Sequence, residues 1–293
     1  MQKQPKNQPQ LIEELRPGQS IELLKELHIL TREGKLNQDT RRKLKQVYHL
    51  YQFIEPLIND VLKGDKEFTL ADHGAGKSYL GFILYDLFFN VAHQGKEAAG
   101  HIYGIETRPE LVEKSRALAA RLGFERMSFL NLSVKESTAS TDLPVRIDIV
   151  TALHACDTAT DDAIAFGLAK QAQHMVLVPC CQAEVASVLK RTRALNLTRT
   201  PLAELWRHPL HTREFGSQIT NVLRCLQLEA NGYNVTVTEL VGWEHSMKNE
   251  LILASRPAAP NAGKTSAAGE RLQQVLGELG LAEMRERFAV AQI

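Results

Sequence analysis

Apolar positions along the chain change their spacing near residue 65. Before that point Leu44, Val47, Tyr51, Ile54, Ile58 and Val61 recur every three or four residues, one buried stripe on a helix opened by Asp39 or Thr40. Pro56 falls inside this pattern and is expected to kink or break it, and Gly64 to end it. A shorter helix precedes it, capped by Ser20, running to about Glu33 and stopped by Gly34. From Lys66 the texture becomes short apolar runs alternating with helical stretches. Strands are expected at Glu67–Ala71, His101–Ile105, Met127–Leu130, Ile147–Leu153 and Met175–Val178. Between them Lys77–Asn90, Pro109–Leu122, Thr160–Lys170 and Glu184–Leu195 read as helices, the second opened by a capping box, Thr107-Arg-Pro-Glu110. Such alternation gives a mostly parallel sheet covered on both faces. A helix near Gln218–Ala230 then leads to strands Tyr233–Val241 and Glu250–Ser255. The eight residues between them, Gly242 to Asn249, are too few for a helical crossover, so these strands pair as an antiparallel hairpin at one edge.

The expected organisation is a flexible tail over 1–19, with three prolines and many glutamines, and a helical region over 20–64. An α/β domain follows over 65–256, then an Ala/Gly/Pro/Ser linker over 257–269. A terminal amphipathic helix over 270–293 carries Leu272, Val275, Leu276 and Leu279 on one face. With 35 Lys+Arg against 34 Asp+Glu in 293 residues, the chain is not basic throughout, so any polyanion contact must come from local patches. The longest apolar stretch, Tyr79 to Ala92, is interrupted by Asp86 and falls short of the ~18–20 residues of a membrane span. The polar N-terminus lacks an apolar segment of the secretory type, and four cysteines do not make a disulfide framework. A cytoplasmic protein with no membrane attachment is the expectation.

The stretch Thr69-Leu-Ala-Asp-His-Gly-Ala-Gly-Lys-Ser78 runs from a strand through an acid and two glycines into a helix. Glycines permit a tight turn, and a helix N-terminus offers unpaired N–H groups to a polar ligand. A phosphate-binding P-loop needs glycine at position 71, which is Ala, and a dinucleotide fingerprint needs a third glycine at 79, which is Tyr. An Asp-x-Gly-x-Gly turn fits S-adenosylmethionine better, with Asp72, His73, Gly74, Ala75 and Gly76 around the amino-acid end of the cofactor; the bland alternative is a simple glycine turn. Glu106, closing the second strand, can accept both ribose hydroxyls, or else is a carboxylate favoured by a helix dipole. Asn131, Leu132 and Ser133, after the third strand, are placed to meet the adenine. The fourth strand ends at Leu153 and leads into His154-Ala-Cys-Asp157-Thr-Ala-Thr-Asp161, and the fifth into Pro179-Cys180-Cys181-Gln182. Ligands of open α/β sheets sit outside the carboxyl ends of strands. His154 there could serve as a base or orient an acceptor, and Asp157 and Asp161 could hold a hydroxyl or amine. Their bland alternatives are helix capping for Asp157 and burial as a small hydrophobe for Cys180 or Cys181. The adjacent cysteines lack the spacing of zinc ligands, so no metal is expected.

Together Asp-His-Gly-Ala-Gly-Lys-Ser-Tyr-Leu, Leu-His-Ala-Cys-Asp-Thr-Ala-Thr-Asp and Pro-Cys-Cys-Gln resemble a class I methyltransferase group marked by a double cysteine. This group is similar to tRNA 2′-O-ribose methyltransferases with a Cys-Cys-x-His signature. The resemblance covers roughly residues 40–256 and implies a Rossmann-like sheet of five parallel strands plus the hairpin, with S-adenosyl-L-methionine as cofactor. It further implies that Asp72, Gly74, Gly76 and Glu106 contact the cofactor, and that His154, Asp161 and Cys180 to Gln182 line the acceptor site. One departure is that the histidine after Cys-Cys-Gln is Ala183 here. Residues 31–45 hold six Lys/Arg against two acids, including the run 41–45, and 187–224 hold seven against two, concentrated at 190–213. Such stretches can follow a phosphate backbone. The expected activity is methyl transfer to structured RNA such as tRNA or rRNA. The alternatives are a protein or small-molecule acceptor, an impaired cofactor-binding module, or a P-loop hydrolase, the last disfavoured by Ala71.

Overall fold

The computed structural model describes residues 14–64, 67–93, 99–153, 157–180, 182–192, 200–240, 250–259 and 261–290. Helices α1 (Ile21–Glu26) and α2 (Gln38–Gly64) precede β1 (Phe68–His73). Next come α3 (Tyr79–Tyr85), continued as a π-helical turn over Asp86–Ala92, then β2 (Gly100–Glu106), α4 (Pro109–Leu122), β3 (Met127–Asn131) and α5 (Val134–Ala139). The chain proceeds through β4 (Ile149–Leu153), α6 (Ala159–Ala169), β5 (His174–Val178), α7 (Glu184–Thr192) and α8 (Pro209–Ala230). It closes with β6 (Asn234–Glu239), β7 (Glu250–Ser255) and α9 (Ala262–Glu278).

The sheet order is β3-β2-β1-β4-β5-β7-β6. The first five strands pair in parallel, and β7 runs antiparallel to both β5 and β6. The expected parallel sheet with a terminal hairpin is therefore what the chain forms. Strand order reverses at β1, which pairs with β2 on one side and β4 on the other. A crevice opens beyond the carboxyl ends of such strands. One face of the sheet shares a continuous core with the α2 stripe, α1, α3 and α4. The opposite face packs on α6 and α8, and a third cluster joins α7, α8 and α9.

Several local expectations change. Helix α1 stops at Glu26, because Leu27 caps it and His28 takes a left-handed φ of 55°. Helix α2 runs unbroken through Pro56. Both Pro56 and Gln52, whose carbonyl loses its N–H partner, are exposed, so water can satisfy that carbonyl while the buried stripe holds both halves. Thr107 does not cap α4: Arg108 is the N-cap residue, without a side-chain cap bond, and its N–H donates to the Glu106 carboxylate. The segment 257–269 is not a linker throughout. The Asn261 side chain accepts from Lys264 N and starts α9 at Ala262, where Ala268, Leu272 and Leu276 are buried. That helix ends at Glu278 rather than near 290, followed by a 3-10 turn over Ala282–Met284. Within the expected tail, Leu15 packs on the core and Gln19 is buried.

Asp86, the acid that interrupts the apolar stretch of α3, is fully buried. Its carboxylate accepts the Ser20 N–H at 3.0 Å and Asn90 Nδ2 at 2.9 Å, tying the start of α1 to the α/β core. Burial raises its pKa, opposed by these hydrogen bonds. No helix among the described residues is long and apolar enough to cross a membrane.

Candidate functional site

The turn after β1 is built by two left-handed glycines, Gly74 (φ 68°) and Gly76 (φ 58°), a backbone region that disfavours side chains. Above it lies a cavity of about 390 Å³ lined on one side by Asp72, Gly74, Ala75 and Gly76, with Leu153 at the end of β4. Lys77, Tyr79 and Leu80 at the start of α3 and Arg108 before α4 form the rim. The opposite wall comes from the N-terminal helices: Ile29 after α1, and Lys43, Gln46 and Val47 of α2. This wall was not among the sequence candidates. Periodicity marks Val47 as buried, but nothing local says which strand end the neighbouring face will meet.

Successive residues of β1 point to opposite faces of the sheet. Asp72 is 2% exposed, and burial pushes its carboxyl up to about 7, opposed by bonds from the Thr151 hydroxyl (2.9 Å) and the Gly81 backbone. His73 packs against the Phe166 ring of α6. Both its ring nitrogens are buried without a partner among the described residues, and burial pushes its pKa down to about 4 against the pull of Glu106.

Glu106 ends β2 with its carboxylate fully engaged. Oε2 accepts Gly76 N (2.8 Å) and Arg108 Nη2 (3.1 Å), and Oε1 accepts Arg108 N (3.0 Å) and Nε (3.1 Å), with Thr107 Oγ1 longer at 3.3 Å. Burial alone would raise its pKa. The hydrogen bonds from Arg108 and Gly76 outweigh burial and hold it down to about 2. Asn131 donates to the Glu106 carbonyl at 3.0 Å, and Ser133 is spent in a capping box with Glu136 at the start of α5. Neither these two nor Leu132 lines the cavity.

The loops after β4 and β5 are joined by a buried polar network rather than left open. The Asp157 carboxylate accepts the N–H groups of Ala183 (3.0 Å) and Glu184 (3.4 Å), so it caps α7 instead of α6. Asp157 itself holds a left-handed φ of 50°. Asp161 forms a two-pronged ion pair with Arg224 of α8, at 2.7 and 2.9 Å, and Arg224 also donates to the Asp157 carbonyl (2.8 Å) and Asn221 Oδ1 (3.1 Å). Gln182 donates to the same Asn221 oxygen (2.9 Å) and accepts from Ser217 (2.6 Å), and Asn221 donates to Glu250 (2.6 Å). Asp161 and Gln182 therefore face α8, and neither lines the cavity. Cys180 is half-buried; His154, Cys156 and Cys181 lie outside the described residues. Among the described residues no group of three or more His, Cys, Asp or Glu could hold a metal ion. Arg224, Asn221 and Arg108 were missed from sequence, the first two because a buried polar residue in an amphipathic helix looks like an exposed one.

The residues fit a nucleoside-bearing amino-acid cofactor. Glu106 is an ionised carboxylate, the chemistry to which a vicinal diol can donate, and Gly76 keeps side-chain bulk off the turn, where a Cβ would stand 3.7 Å from Arg108 Nη2. The cavity also pairs one buried carboxyl, Asp72, with cations at its rim, matching an ammonium and a carboxylate.

A family model described as a methyltransferase domain matches residues 42–188. No curated protein matches the sequence. Similar solved structures include an rRNA methylase from Streptococcus thermophilus, at 10% identity and TM-score 0.40 over 70% of this chain and 94% of that one. Magnesium protoporphyrin IX methyltransferase from Synechocystis PCC 6803, solved with bound SAH, is 14% identical with TM-score 0.44 over 82% and 96% of the two chains. Precorrin-6y C5,15-methyltransferase from Geobacter metallireducens GS-15 is 16% identical with TM-score 0.38 over 70% and 88%.

Proposed function

Because the chain belongs to the methyltransferase-domain family and so uses S-adenosylmethionine, we propose that it methylates structured RNA. Residues 65–256 are read as the methyltransferase domain and 20–64 as a helical cover over its cofactor site. A bound cofactor would supply an electrophilic methyl group on a cationic sulfur. Toward it, Glu106 holds the ribose diol, Asp72 the ammonium group, and Gly74 to Gly76 bring the backbone close, with Lys43 and Lys77 as cations for the carboxylate. His154, directly after the cavity-lining Leu153, is assigned as the base that takes the acceptor's proton. The Asp157, Asp161 and Gln182 network ties the segments after β4 and β5 to α8, and Cys180 and Cys181 remain assigned to the acceptor side.

One observation carries the RNA reading: a groove leads from the cavity along the cover. Lys77 and Tyr79 line both the cavity and a neighbouring cleft between α1 and α4, which adds Lys114, Arg121 and His28. His28 and Glu26 in turn lead to a third hollow with Lys25 and Arg32. Of these cations Arg121 pairs with Glu22 and Glu26; among the described residues Lys25, Arg32, Lys77 and Lys114 have no carboxylate in ion-pair reach. Tyr79, Leu111 and Leu118 give the groove an apolar floor on which a base can lie. Among the described residues the arginines of the other basic stretch are paired. Arg191 pairs with Glu283, Arg207 with Glu204, Arg213 with Glu214 and Arg224 with Asp161, and Arg41 pairs with Glu14 in the run 41–45.

The test is binding of a tRNA-sized RNA across a salt series. Each phosphate neutralised adds about one unit to the slope of log affinity against log salt. Lys25→Ala, Arg32→Ala and Lys114→Ala together should flatten the slope by roughly two to three units, with S-adenosylhomocysteine affinity unchanged. RNA binding that is absent at low salt, or indifferent to the triple variant, would favour a protein or small-molecule acceptor.

A further inference from the structure

A carboxylate offers about four lone-pair positions. At Glu106 two of them are held by backbone, Gly76 N on Oε2 and Arg108 N on Oε1, and these bonds are part of the turn and the helix start. The other two are held by the Arg108 guanidinium through Nη2 and Nε. These are the positions a vicinal diol needs, since a ribose donates one hydroxyl to each oxygen. The Arg108 side chain is 59% exposed and lines the cavity, whereas the Glu106 side chain is 8% exposed. Two side-chain partners of Glu106 can thus leave without disturbing backbone, the Thr107 hydroxyl, long at 3.3 Å and on Oε1 alone, and the guanidinium, which occupies both oxygens.

We propose that Arg108 is a built-in competitor of the cofactor: its guanidinium fills the two ribose-hydroxyl positions on Glu106 and must swing out when a nucleoside diol binds. Glu106 stays fully hydrogen-bonded in both states, so no buried carboxylate is left without partners while the site is empty. Displacement also frees a cation at the mouth of the cavity, beside Lys77 and Tyr79, where the proposed RNA groove begins. Cofactor loading therefore adds one phosphate contact to the RNA surface. That second consequence rests on the RNA reading; the displacement does not.

Calorimetry with the full chain tests the displacement. Arg108→Ala should bind S-adenosylhomocysteine roughly five-fold more tightly than the wild type, the size expected for removing one half-exposed ion pair. Arg108→Lys, which loses the two-pronged geometry, should fall between. The gain should appear with adenosine and vanish with 2′,3′-dideoxyadenosine, which has no diol to compete. Weaker or unchanged binding in Arg108→Ala would overturn the proposal, because Arg108 would then grip the cofactor or be indifferent to it. An equal gain with the dideoxy nucleoside would overturn it too, as plain steric obstruction. Saturating S-adenosylhomocysteine should steepen the RNA salt slope by about one unit in the wild type and not in Arg108→Ala. An RNA slope that ignores the ligand in wild type refutes the coupling. Absence of any RNA binding refutes the RNA reading, and the nucleoside series still decides the displacement.

Discussion

Replacing Arg224 by Met tests whether Asp161 is held for structure or free for chemistry. The Arg224 side chain is 1% exposed and that of Asp161 6%, with two short bonds between them and two more from the guanidinium to Asp157 O and Asn221 Oδ1. Methionine fills similar volume but leaves the buried Asp161 carboxylate without its charged partner. Breaking a buried pair in this way costs about 3–5 kcal/mol, whereas exchanging both partners for apolar groups is often neutral. Arg224→Met should therefore lower stability by that amount, and Asp161→Leu with Arg224→Met should recover most of it, a coupling of at least about 2 kcal/mol. The assay is urea unfolding, with the midpoint moving at constant m value. Neither residue lines the cavity, so S-adenosylhomocysteine affinity should stay within about two-fold in the folded variants. A loss below about 1 kcal/mol in Arg224→Met, or losses that simply add in the double variant, would refute the buried-pair reading. Asp161 would then return as a candidate for direct contact with the acceptor.

The remaining predictions concern the glycine turn and its neighbours. Asp72 keeps its proton to about 7 in the folded protein but loses it near 3.8 when unfolded, so its burial makes stability fall as pH rises between those values and level off above. Across that window the wild type should lose about 4 kcal/mol relative to Asp72→Asn; urea midpoints from pH 4 to 8 that rise together, or diverge the other way, would contradict this. Gly76→Ala forces a Cβ onto a left-handed residue and toward Arg108. It should cost about 1–2 kcal/mol of stability and weaken S-adenosylhomocysteine, both read by thermal shift with and without ligand. Glu106, behind the Arg108 side chain rather than on the cavity wall, should on mutation to Ala weaken the same ligand more than a change at any lining residue, by about 10-fold or more, since two hydroxyls lose a charged acceptor; calorimetry showing intact affinity would remove Glu106 from the site.

The sheet was readable because its strands are short apolar runs between amphipathic segments, and the hairpin because the gap before Glu250 is too short to cross over. The turn Asp72 to Gly76 was readable because left-handed backbone needs glycine, a demand visible in one residue type. What sequence could not show depends on distant partners. Asp161 and Asp157 look like acids available for chemistry until Arg224, on α8, and the N–H groups of α7 are brought against them. Pro56 looks like a helix break until its exposed side is known. The Ala/Gly-rich stretch after Asn261 looks like a linker because small residues carry no periodic signal, and most of it is exposed; only Ala268 is buried, and Leu272 and Leu276 further along the same helix join the cluster with α8. Arg108 sat two residues from a recognised acid and was read as part of a cap, because its side chain's destination is set by Glu106 and not by the helix.

The α2 wall of the cavity has a kinetic meaning. It is not a lid on a hinge: Leu44, Val47, Tyr51, Ile54, Ile58 and Val61 are all buried in the same core as β1 and α3, and Asp86 ties down Ser20 at the other end of the cover. Peeling α2 away would expose six such side chains at roughly 1.5–3 kcal/mol each, which is on the order of the whole stability of a domain. Ligand exchange must then proceed through the mouth, by rotation of Arg108, Tyr79 and Lys77 on side-chain timescales. Product residence time is thereby uncoupled from the breathing of the fold, and a variant that loosens the core should shorten the protein's life without speeding its turnover.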